Sequence, residues 1–528
     1  MKQLIALAAA SAFTTCSVAQ DLLWLHSNSV DWTMNYAMVN HQVDASPTGL
    51  VGGVRQFGQG MSFGVDVFNQ VAVDWIDPAT GIAFASCSMT DSVLMESMVM
   101  GDDGTIYVAG RFLGDIQFCD GNTLPGTGGF LDADLFVAAF SGTTFGLQWV
   151  KNVSTGHPNG QRVPALAIDA NGVLWYGYEE FEEIHLISVD SQGSDNQELI
   201  ITGTRVLGGF GFDADNNLYV TGSTGDNSGP LAFGGLSVTV PDPYDIFILR
   251  MNADGSGDWA RLAEAGTFHS PDVAVDPNGD AFISSAIMMA TDLGGILLNG
   301  PNWVGDVFIA KVDRNGDFLW GRESAPASGP IVGDMAQSRM KSIDCDAAGN
   351  VYLTGTVRGQ TQWGNGVVSD AITIGAYAQT VVAFDGSGTA QWAITSNPSS
   401  MNAQAVSCAD DGTVFFTGHV LGPYTMGGET VNSGGMQAFV DGRIDGLNTQ
   451  VSAAAPSTGS KAWPNPATDR ILLEAMAGER YSIFSSDSRI VASGLLRPGI
   501  NEIDLARLGT GVFTIRTVSG SLARFTKQ

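Results

Sequence analysis

The sequence predicts an all-β protein in which a long array of strand repeats precedes a small C-terminal domain. Short apolar runs rich in β-branched and aromatic residues alternate with turn residues along the 528 residues, and glycine accounts for 67 of them. One strand-and-turn pattern recurs seven times, and it stops before a small-residue linker at 449–460. Only 15% of the residues are charged, so the composition is that of a folded chain.

Each repeat begins with an apolar strand, a turn rich in Asp, Asn and Gly, and an alternating strand. Clear copies read SMVMGDDGTIYVAG, ALAIDANGVLWYG, GFGFDADNNLYVTG, DVAVDPNGDAFISS, SIDCDAAGNVYLTG and AVSCADDGTVFFTG. Their turns centre on Gly104, Gly172, Asn216, Gly279, Gly349 and Gly412, and a weaker first copy, DASPTGLVGG, lies near Pro47. The second half of a repeat is again strand, turn and strand, with Trp149, Trp259, Trp320 and Trp392 at equivalent positions.

Four short strands in each unit of about sixty residues, repeated seven times, are typical of a seven-bladed β-propeller. We expect this propeller to occupy 20–448. The last repeat ends QAFVDGRIDGLN without a tryptophan strand, whereas the segment 21–27, DLLWLHS, has Trp24 at the matching place. Because each sheet needs a neighbour on both faces, we predict that this N-terminal strand pairs with 437–445 and closes the ring.

The repeat resembles a bacterial β-propeller repeat family found in long secreted proteins. DAAGNVYLTG and DVFIAKVDRNGDFLW carry the resemblance, which covers 21–448. It implies the fold, and it implies little about function because propellers support many unrelated activities.

The segment 461–528 has a different pattern, with about seven short strands that predict a compact β-sandwich. It resembles the type A C-terminal sorting domain of the type IX secretion system of Bacteroidota. The resemblance rests on Pro464, Asn465 and Pro466, on the Leu508–Phe513 turn with Gly509, Gly511 and Phe513, and on the basic end with Arg524 and Lys527. Ser488 and Phe513 depart from the usual glycine and tyrosine. The family implies recognition by the type IX machinery, passage through the outer membrane, and removal of this domain.

The N-terminus has the features of a secretory signal peptide over 1–19. Lys2 is followed by an apolar run at 4–13 that is too short to span a bilayer, and Ser17-Val18-Ala19 precedes the expected mature start at Gln20. A lipoprotein with Cys16 as its anchor is the alternative. No later stretch is long and apolar enough to span a membrane, so we expect a secreted or surface-attached protein.

Charge and cysteine content restrict the partners. The formal charge of −30 opposes binding to nucleic acid, and it could attract divalent cations. We expect no cofactor, with calcium as the alternative. Cys87, Cys119, Cys345 and Cys408 form no CxxC pair, which argues against a zinc site. Their disulfide state stays open, although Cys345 and Cys408 occupy matching places in neighbouring repeats.

The repeated aspartates are interpreted as scaffold residues. Asp134, Asp245 and Asp306 each open a D-x-F-[IV] strand, whereas a catalytic carboxylate should occur once. The turns beginning at Asp213 and Asp276 look faintly like calcium loops, but no glutamate follows at the spacing of an EF-hand.

The third repeat is the exception, because its middle loop is shortened to GYEEFEEIHL. We predict a notch in one rim there, with a ligand-binding site lined by Trp175, Tyr178, Glu179, Glu180, Glu182 and Glu183. A solvated charge run is the alternative. No catalytic residue is identified, so we favour a surface module that binds a glycan or a protein or serves in adhesion. The alternative is an extracellular hydrolase or lyase that acts on polysaccharide, with a non-repeating cluster around the central channel.

Overall fold

A computed structural model describes most of the chain, which divides into two compact units, residues 1–450 and 451–528. The described residues are 22–29, 40–57, 68–127, 133–157, 160–225, 229–263, 271–300, 306–326, 334–338, 340–371, 377–397, 400–447, 466–475, 479–485, 490–517 and 522–528. The predicted signal peptide, the linker, Pro464 and Asn465 lie outside them. No helix among the described residues is long and apolar enough to cross a membrane.

The described part of the first unit consists of strands and one short 3₁₀ helix. The strands in the first half are β1 (Leu22–Ser29), β2 (Asn40–Ala45), β3 (Val51–Phe57), β4 (Phe68–Ile76), β5 (Ala83–Met100), β6 (Ile106–Phe118), β7 (Thr123–Leu124), β8 (Asp134–Phe140), β9 (Leu147–Asn152), β10 (Arg162–Ile168), β11 (Leu174–Glu180), β12 (Glu183–Val189), β13 (Asp195–Thr202), β14 (Thr204–Phe212) and β15 (Leu218–Thr224), with the 3₁₀ helix at Val153–Thr155. The second half continues with β16 (Leu231–Phe233), β17 (Leu236–Val238), β18 (Ile246–Met251), β19 (Gly257–Ala263), β20 (Asp272–Val275), β21 (Ala281–Ile287), β22 (Thr291–Leu293), β23 (Ile296–Leu298), β24 (Asp306–Val312), β25 (Phe318–Glu323), β26 (Ala325–Pro326), β27 (Asp334–Gln337), β28 (Ile343–Cys345), β29 (Val351–Gly364), β30 (Val367–Ala371), β31 (Ala378–Phe384), β32 (Ala390–Thr395), β33 (Ser400–Cys408), β34 (Val414–Met426) and β35 (Glu429–Ile444).

Antiparallel pairing arranges the described strands into seven four-strand sets, here called repeat sheets 1 to 7. In order they are β2-β3-β4-β5, β5-β6-β8-β9, β10-β11-β12-β13, β14-β15-β18-β19, β20-β21-β24-β25, β27/β28-β29-β31-β32 and β33-β34-β35-β1. Repeat sheets 1 and 2 share the long strand β5, whose first part pairs with β4 and whose second part pairs with β6. The remaining short strands form side hairpins or extensions of these sets.

The turn after the first strand of a repeat is held by its own aspartate. Asp213 Oδ1 accepts hydrogen bonds from the backbone N–H groups of Asp215 and Asn217, at 3.0 and 2.9 Å. Asn216 then adopts a φ of 62°, a conformation that asparagine tolerates better than most residues. Asp276 makes the equivalent bonds to Asn278 and Asp280. Both aspartates therefore act as turn residues.

The predicted pairing of the N-terminal strand with the last repeat is confirmed. Strand β1 runs antiparallel to β35, from Leu22 opposite Ile444 to Ser29 opposite Ala438. Trp24 donates its indole N–H to the carbonyl oxygen of Pro78, at 3.0 Å, in the turn between β4 and β5 of repeat sheet 1.

The bond made by Trp24 repeats an interaction made by the tryptophans of other repeats. Trp259 donates to the carbonyl of Arg314 in repeat sheet 5, at 2.9 Å, and Trp320 donates to that of Gly386 in repeat sheet 6, at 3.1 Å. In each case the acceptor lies in the turn between the third and fourth strands of the next sheet. Trp24 therefore occupies the position of the fourth-strand tryptophan that the last repeat lacks, as its sequence position predicts.

The first and last repeat sheets also contact each other through their innermost strands. Ala45 N–H donates to Ser407 Oγ at 3.0 Å, and Asp410 N–H donates to the carbonyl of Pro47 at 3.1 Å. Arg443 Nη1 donates to the Pro78 carbonyl at 2.9 Å. Repeat sheets 7 and 1 are thus neighbours, like sheets that follow each other along the chain.

The described part of the second unit contains six strands in two antiparallel sheets. They are β36 (Arg470–Ala475), β37 (Glu479–Ser485), β38 (Ile490–Leu496), β39 (Gly499–Asp504), β40 (Gly511–Thr517) and β41 (Leu522–Lys527). One sheet has the order β38-β37-β40-β41, and β36 pairs with β39 in the other. Side chains from both sheets, including Ile471, Ile483 and Phe525, share one apolar core.

Candidate functional site

The six residues predicted to line a site in the third repeat lie on the hairpin of β11 and β12. Trp175, Tyr178, Glu179 and Glu180 belong to β11, Glu182 is in the turn, and Glu183 begins β12. Side chains alternate between the two faces of a strand, so Trp175 and Glu179 lie on one face while Tyr178 and Glu180 lie on the other. The hairpin therefore separates the predicted set.

Glu179 is a buried structural carboxylate, with 5% of its surface exposed. Its Oε2 accepts a hydrogen bond from Arg162 Nε at 2.9 Å, and its Oε1 accepts one from the Leu207 N–H at 2.7 Å. Trp175 is also buried, in the apolar core between repeat sheets 3 and 4. Glu179 thus connects these two sheets, in contrast to the rim position expected from the sequence.

The opposite face gathers Tyr178, Glu180 and Glu183 around His185. The ring of His185 stacks on Tyr178 with 4.5 Å between centroids, and its Nδ1 lies 2.8 Å from Glu198 Oε1. His185 Nε2 is 3.3 Å from Glu183 Oε2 and 3.9 Å from Glu180 Oε2.

Tyr178 connects this group to a second histidine, because its hydroxyl lies 2.8 Å from Nδ1 of His157. Burial raises the pKa of Tyr178 and lowers that of His157. Neither histidine can be recognised from the sequence, because they follow no metal or catalytic spacing. Among the described residues no three His, Cys, Asp or Glu side chains are arranged to hold a metal ion.

A central cavity of about 810 Å³ is the larger candidate site. It is lined by residues of the innermost strand of every repeat sheet, namely β2, β5, β10, β14, β20, β28 and β33. Ten carboxylate residues line the described cavity wall: Asp44, Glu96, Asp102, Asp103, Asp169, Asp213, Asp272, Asp344, Asp346 and Asp410. Lys341 is the one lysine or arginine among these lining residues. The cavity is therefore strongly acidic.

Lys341 is held between two of these carboxylates. Its Nζ lies 2.9 Å from Asp44 Oδ1 and 2.9 Å from Asp344 Oδ2. Burial alone would lower the pKa of the ammonium, but the charges of Asp344 and Asp44 raise it overall. Ser407 Oγ contacts the same two carboxylates, at 2.9 and 3.0 Å. This cluster joins repeat sheets 1, 6 and 7.

The more buried carboxylates of the cavity bind backbone groups of a neighbouring sheet. Asp44 accepts from Met100 N–H at 2.9 Å, Glu96 from Val163 at 3.1 Å, Asp272 from Ser342 at 2.6 Å and Asp344 from Cys408 at 2.8 Å. Burial raises the pKa of Glu96, and it raises the pKa of Asp272 to about 6 although the bond from Ser342 opposes this. These four side chains therefore tie adjacent sheets together. They could not be recognised from the sequence, because each lies in a different repeat.

The structure decides between the open alternatives for the cysteines. Cys87 and Cys119 form a disulfide, with 5.2 Å between their Cα atoms, which links β5 to the end of β6. Cys345 and Cys408 are free, and both line the cavity. Burial, and to a smaller extent the charges of nearby carboxylates such as Asp344, raises the pKa of both thiols well above the ordinary value. They are therefore weak nucleophiles at neutral pH.

The described parts of the three sorting-motif blocks meet at one corner of the second unit. The Ala467 N–H, next to Pro466, donates to the Thr526 carbonyl at 2.7 Å. Lys527 is buried, and its Nζ donates to the carbonyls of Leu505 and Leu508 at 2.8 and 2.5 Å, so it holds the Leu505–Leu508 turn, which directly precedes Gly509. Phe513 stacks on Phe525, with 5.6 Å between centroids. For Arg524, only its place in β41 is described.

Comparison with known proteins finds distant likeness in fold alone. No protein-family model and no curated protein matches the chain. Among solved structures it is similar to the Dos1 propeller, with a TM-score of 0.37 and 8% identity over 80% of this chain and 95% of that one. It is also similar to a prolyl endopeptidase, with a TM-score of 0.37 and 11% identity over 91% of this chain and 55% of that one. The chain thus spans about half the length of that enzyme.

A further similar structure is PorZ, a surface component of the type IX secretion system of Porphyromonas gingivalis. Its TM-score is 0.15 and its identity 9%, over 92% of this chain and 91% of that one. Scores this low carry no argument about function. The strand pairing itself shows that the described part of the first unit is all-β and β-propeller-like.

Proposed function

We propose that the first unit is a closed seven-bladed β-propeller over 20–448 and that it serves as a binding module. The contacts between repeat sheets 7 and 1, made by Trp24, Ala45 and Ser407, support closure. So does the cavity, because the innermost strands of all seven repeat sheets line it. Central channels of propellers are recurrent ligand sites, and this volume falls in the usual range for ligand pockets.

The observation that carries the binding role is how the buried carboxylates of the cavity are used. A glycosidase needs two carboxyl groups that are free to act on its substrate. Asp44, Glu96 and Asp344 instead accept backbone N–H groups across sheet boundaries. Carboxylates that are engaged in this way favour a structural role in the wall of a binding cavity over the role of a catalytic pair.

The binding role can be tested with the mature chain on arrays of glycans and peptides, with and without calcium. A ligand whose binding is lost when cavity residues are changed would support it. Ligands that bind equally well to all cavity variants would contradict it. Calcium as a ligand and the binding site on the hairpin of repeat sheet 3 stay predictions. Of the six residues predicted for that site, Glu180, Glu182 and Glu183 are the ones that are not buried.

An extracellular hydrolase or lyase acting on polysaccharide is the second candidate. One observation favours it: Asp272 lines the cavity with a pKa of about 6, a value suited to a general acid near neutral pH. Turnover of any polysaccharide that disappears in Asp272→Asn while the protein stays folded would support this candidate. Equal turnover by that variant would contradict it.

We further propose that the protein is exported through a signal peptide at 1–19 and sorted by the domain at 461–528, after the linker at 449–460. The Cys87–Cys119 disulfide supports an oxidising compartment. The meeting of the motif blocks supports the sorting role, because Lys527 holds the Leu505–Leu508 turn. Attachment to the surface or release would follow removal of the domain by type IX secretion.

The sorting role can be tested in a host that has type IX secretion. A chain without 461–528 should fold but remain in the periplasm. Lys527→Ala should reduce export because the turn loses two hydrogen bonds from a charged group, and Gln528→Ala serves as its exposed neighbour control. Surface display of the truncated chain would contradict the sorting role.

A further inference from the structure

Two exposed carboxylates stand at the mouth of the central cavity, on either side of the turn that joins β2 to β3. Asp102 Oδ1 accepts from Thr48 N–H and Thr48 Oγ1, at 3.2 and 3.0 Å. On the other side, Asp410 donates its N–H to the Pro47 carbonyl. Partial burial and then the charge of Asp102 raise the pKa of Asp410. Negative charge is thus concentrated at this mouth.

The cavity wall offers little positive charge to balance these carboxylates. Lys341 is the one lysine or arginine among the described lining residues, and Asp44 and Asp344 already neutralise it. A cleft with a low-dielectric wall and many carboxylates attracts cations and concentrates them at its opening. The same field repels phosphate and acidic polysaccharide.

A second, independent feature of the cavity is a buried donor with no acceptor. Gln42 lines the cavity with 4% of its surface exposed, and its Nε2 has no hydrogen-bond partner among the described residues. A buried amide donor left unpaired destabilises the protein, so an acceptor at this point would be favourable. A bare cation supplies no such acceptor, whereas a peptide carbonyl does.

We propose that the cavity binds an extended basic peptide segment, with lysine or arginine side chains at Asp102 and Asp410 and a backbone carbonyl accepting from Gln42. The inference rests on the proposed binding role and names the class of ligand for it. A peptide of this kind satisfies both features at once. Its ionic contacts at an exposed mouth should make binding strongly dependent on salt.

The test uses the mature chain and a fluorescent peptide that alternates lysine and glycine, with a glutamate–glycine peptide as the acidic counterpart. Fluorescence anisotropy at low and at physiological salt gives the two affinities. The double variant Asp102→Asn/Asp410→Asn should bind the basic peptide at least ten-fold more weakly and with less salt dependence. Asp215→Asn/Asp242→Asn removes the same charge from exposed positions outside the cavity lining, and it should bind like the unchanged chain.

Gln42→Met tests the buried donor separately from charge, and we expect a three- to ten-fold loss of affinity with the salt dependence retained. Far-ultraviolet circular dichroism and thermal melting show that each variant is folded. No basic-peptide binding at millimolar concentration, or an equal loss in both double variants, would overturn the inference. If another ligand still binds in the cavity, the binding role stands and only the assignment of a basic peptide fails.

Discussion

Replacement of Trp24 with alanine should destabilise the first unit by about 3 kcal/mol, although Trp24 is near the end of the chain. The loss has two parts. One hydrogen bond, to the Pro78 carbonyl, contributes about 1 kcal/mol. The ring also packs on Gly81, where an added Cβ would come within 2.6 Å of it, and loss of a partly buried indole costs about 2 kcal/mol.

A double-mutant cycle makes this prediction specific. Gly81→Ala should be costly alone, because φ is +72° there and the methyl group meets both the indole ring of Trp24 and the imidazole ring of His26. It should cost about 1 kcal/mol less when Trp24 is already alanine. Leu23→Ala on the same strand serves as the control, since 44% of that side chain is exposed and little should be lost.

The assay is urea unfolding of the mature chain, followed by circular dichroism so that the lost indole does not alter the signal. Equal midpoints for Trp24→Ala and Leu23→Ala would refute the packing of β1 against repeat sheet 1. Additive effects of Trp24→Ala and Gly81→Ala would refute their contact.

Three further variants test the cavity and the hairpin through the free energy of unfolding. Lys341→Met should lower the free energy of unfolding at pH 7 by about 2 to 3 kcal/mol, because Asp44 and Asp344 lose their cation. Lys151→Met is the control, because its partner Asp195 is more exposed, and it should cost under about 1 kcal/mol. Asp272 has a folded pKa of about 6 against an ordinary 3.8, so its stabilising contribution is complete below pH 4 and is lost as the pH rises to 6. The free energies of unfolding at pH 4.5 and 7 should differ by about 2 kcal/mol because of this group, and Asp272→Asn should remove that difference. Glu179→Gln should cost about 1.5 to 3 kcal/mol and Glu180→Gln under about 0.5 kcal/mol; equal costs would contradict their separation by the two faces of β11.

The repeat pattern predicts much of the first unit because its signals are local. Turn aspartates, glycines and the tryptophan of the fourth strand recur at fixed places in the repeats. The role of Trp24 is therefore predicted from the last repeat, which lacks its own tryptophan strand. The boundary between the first two repeats is less clear in the sequence. Strand β5 runs through Ala83–Met100 and belongs to two repeat sheets, a continuity that no turn residue marks.

The cavity could not be predicted in the same way, because its residues come from distant positions. Asp44, Asp272 and Lys341 share no local spacing, and only the arrangement of the sheets brings them to one wall. In the β11–β12 hairpin, by contrast, residues that are adjacent in sequence are separated in the structure. Because side chains alternate along β11, Glu179 lies in the core, whereas Glu180 lies beside His185.

The role of the N-terminal strand is measured most directly by hydrogen–deuterium exchange of its amides in the mature chain. An outermost strand is hydrogen-bonded on one side only, so about half of the amides in Leu22–Ser29 should exchange slowly. Their protection should match that of Phe318–Glu323, the corresponding outer strand of repeat sheet 5. Exchange of every amide in Leu22–Ser29 within seconds, while Phe318–Glu323 stays protected, would contradict closure of the array by its own first strand.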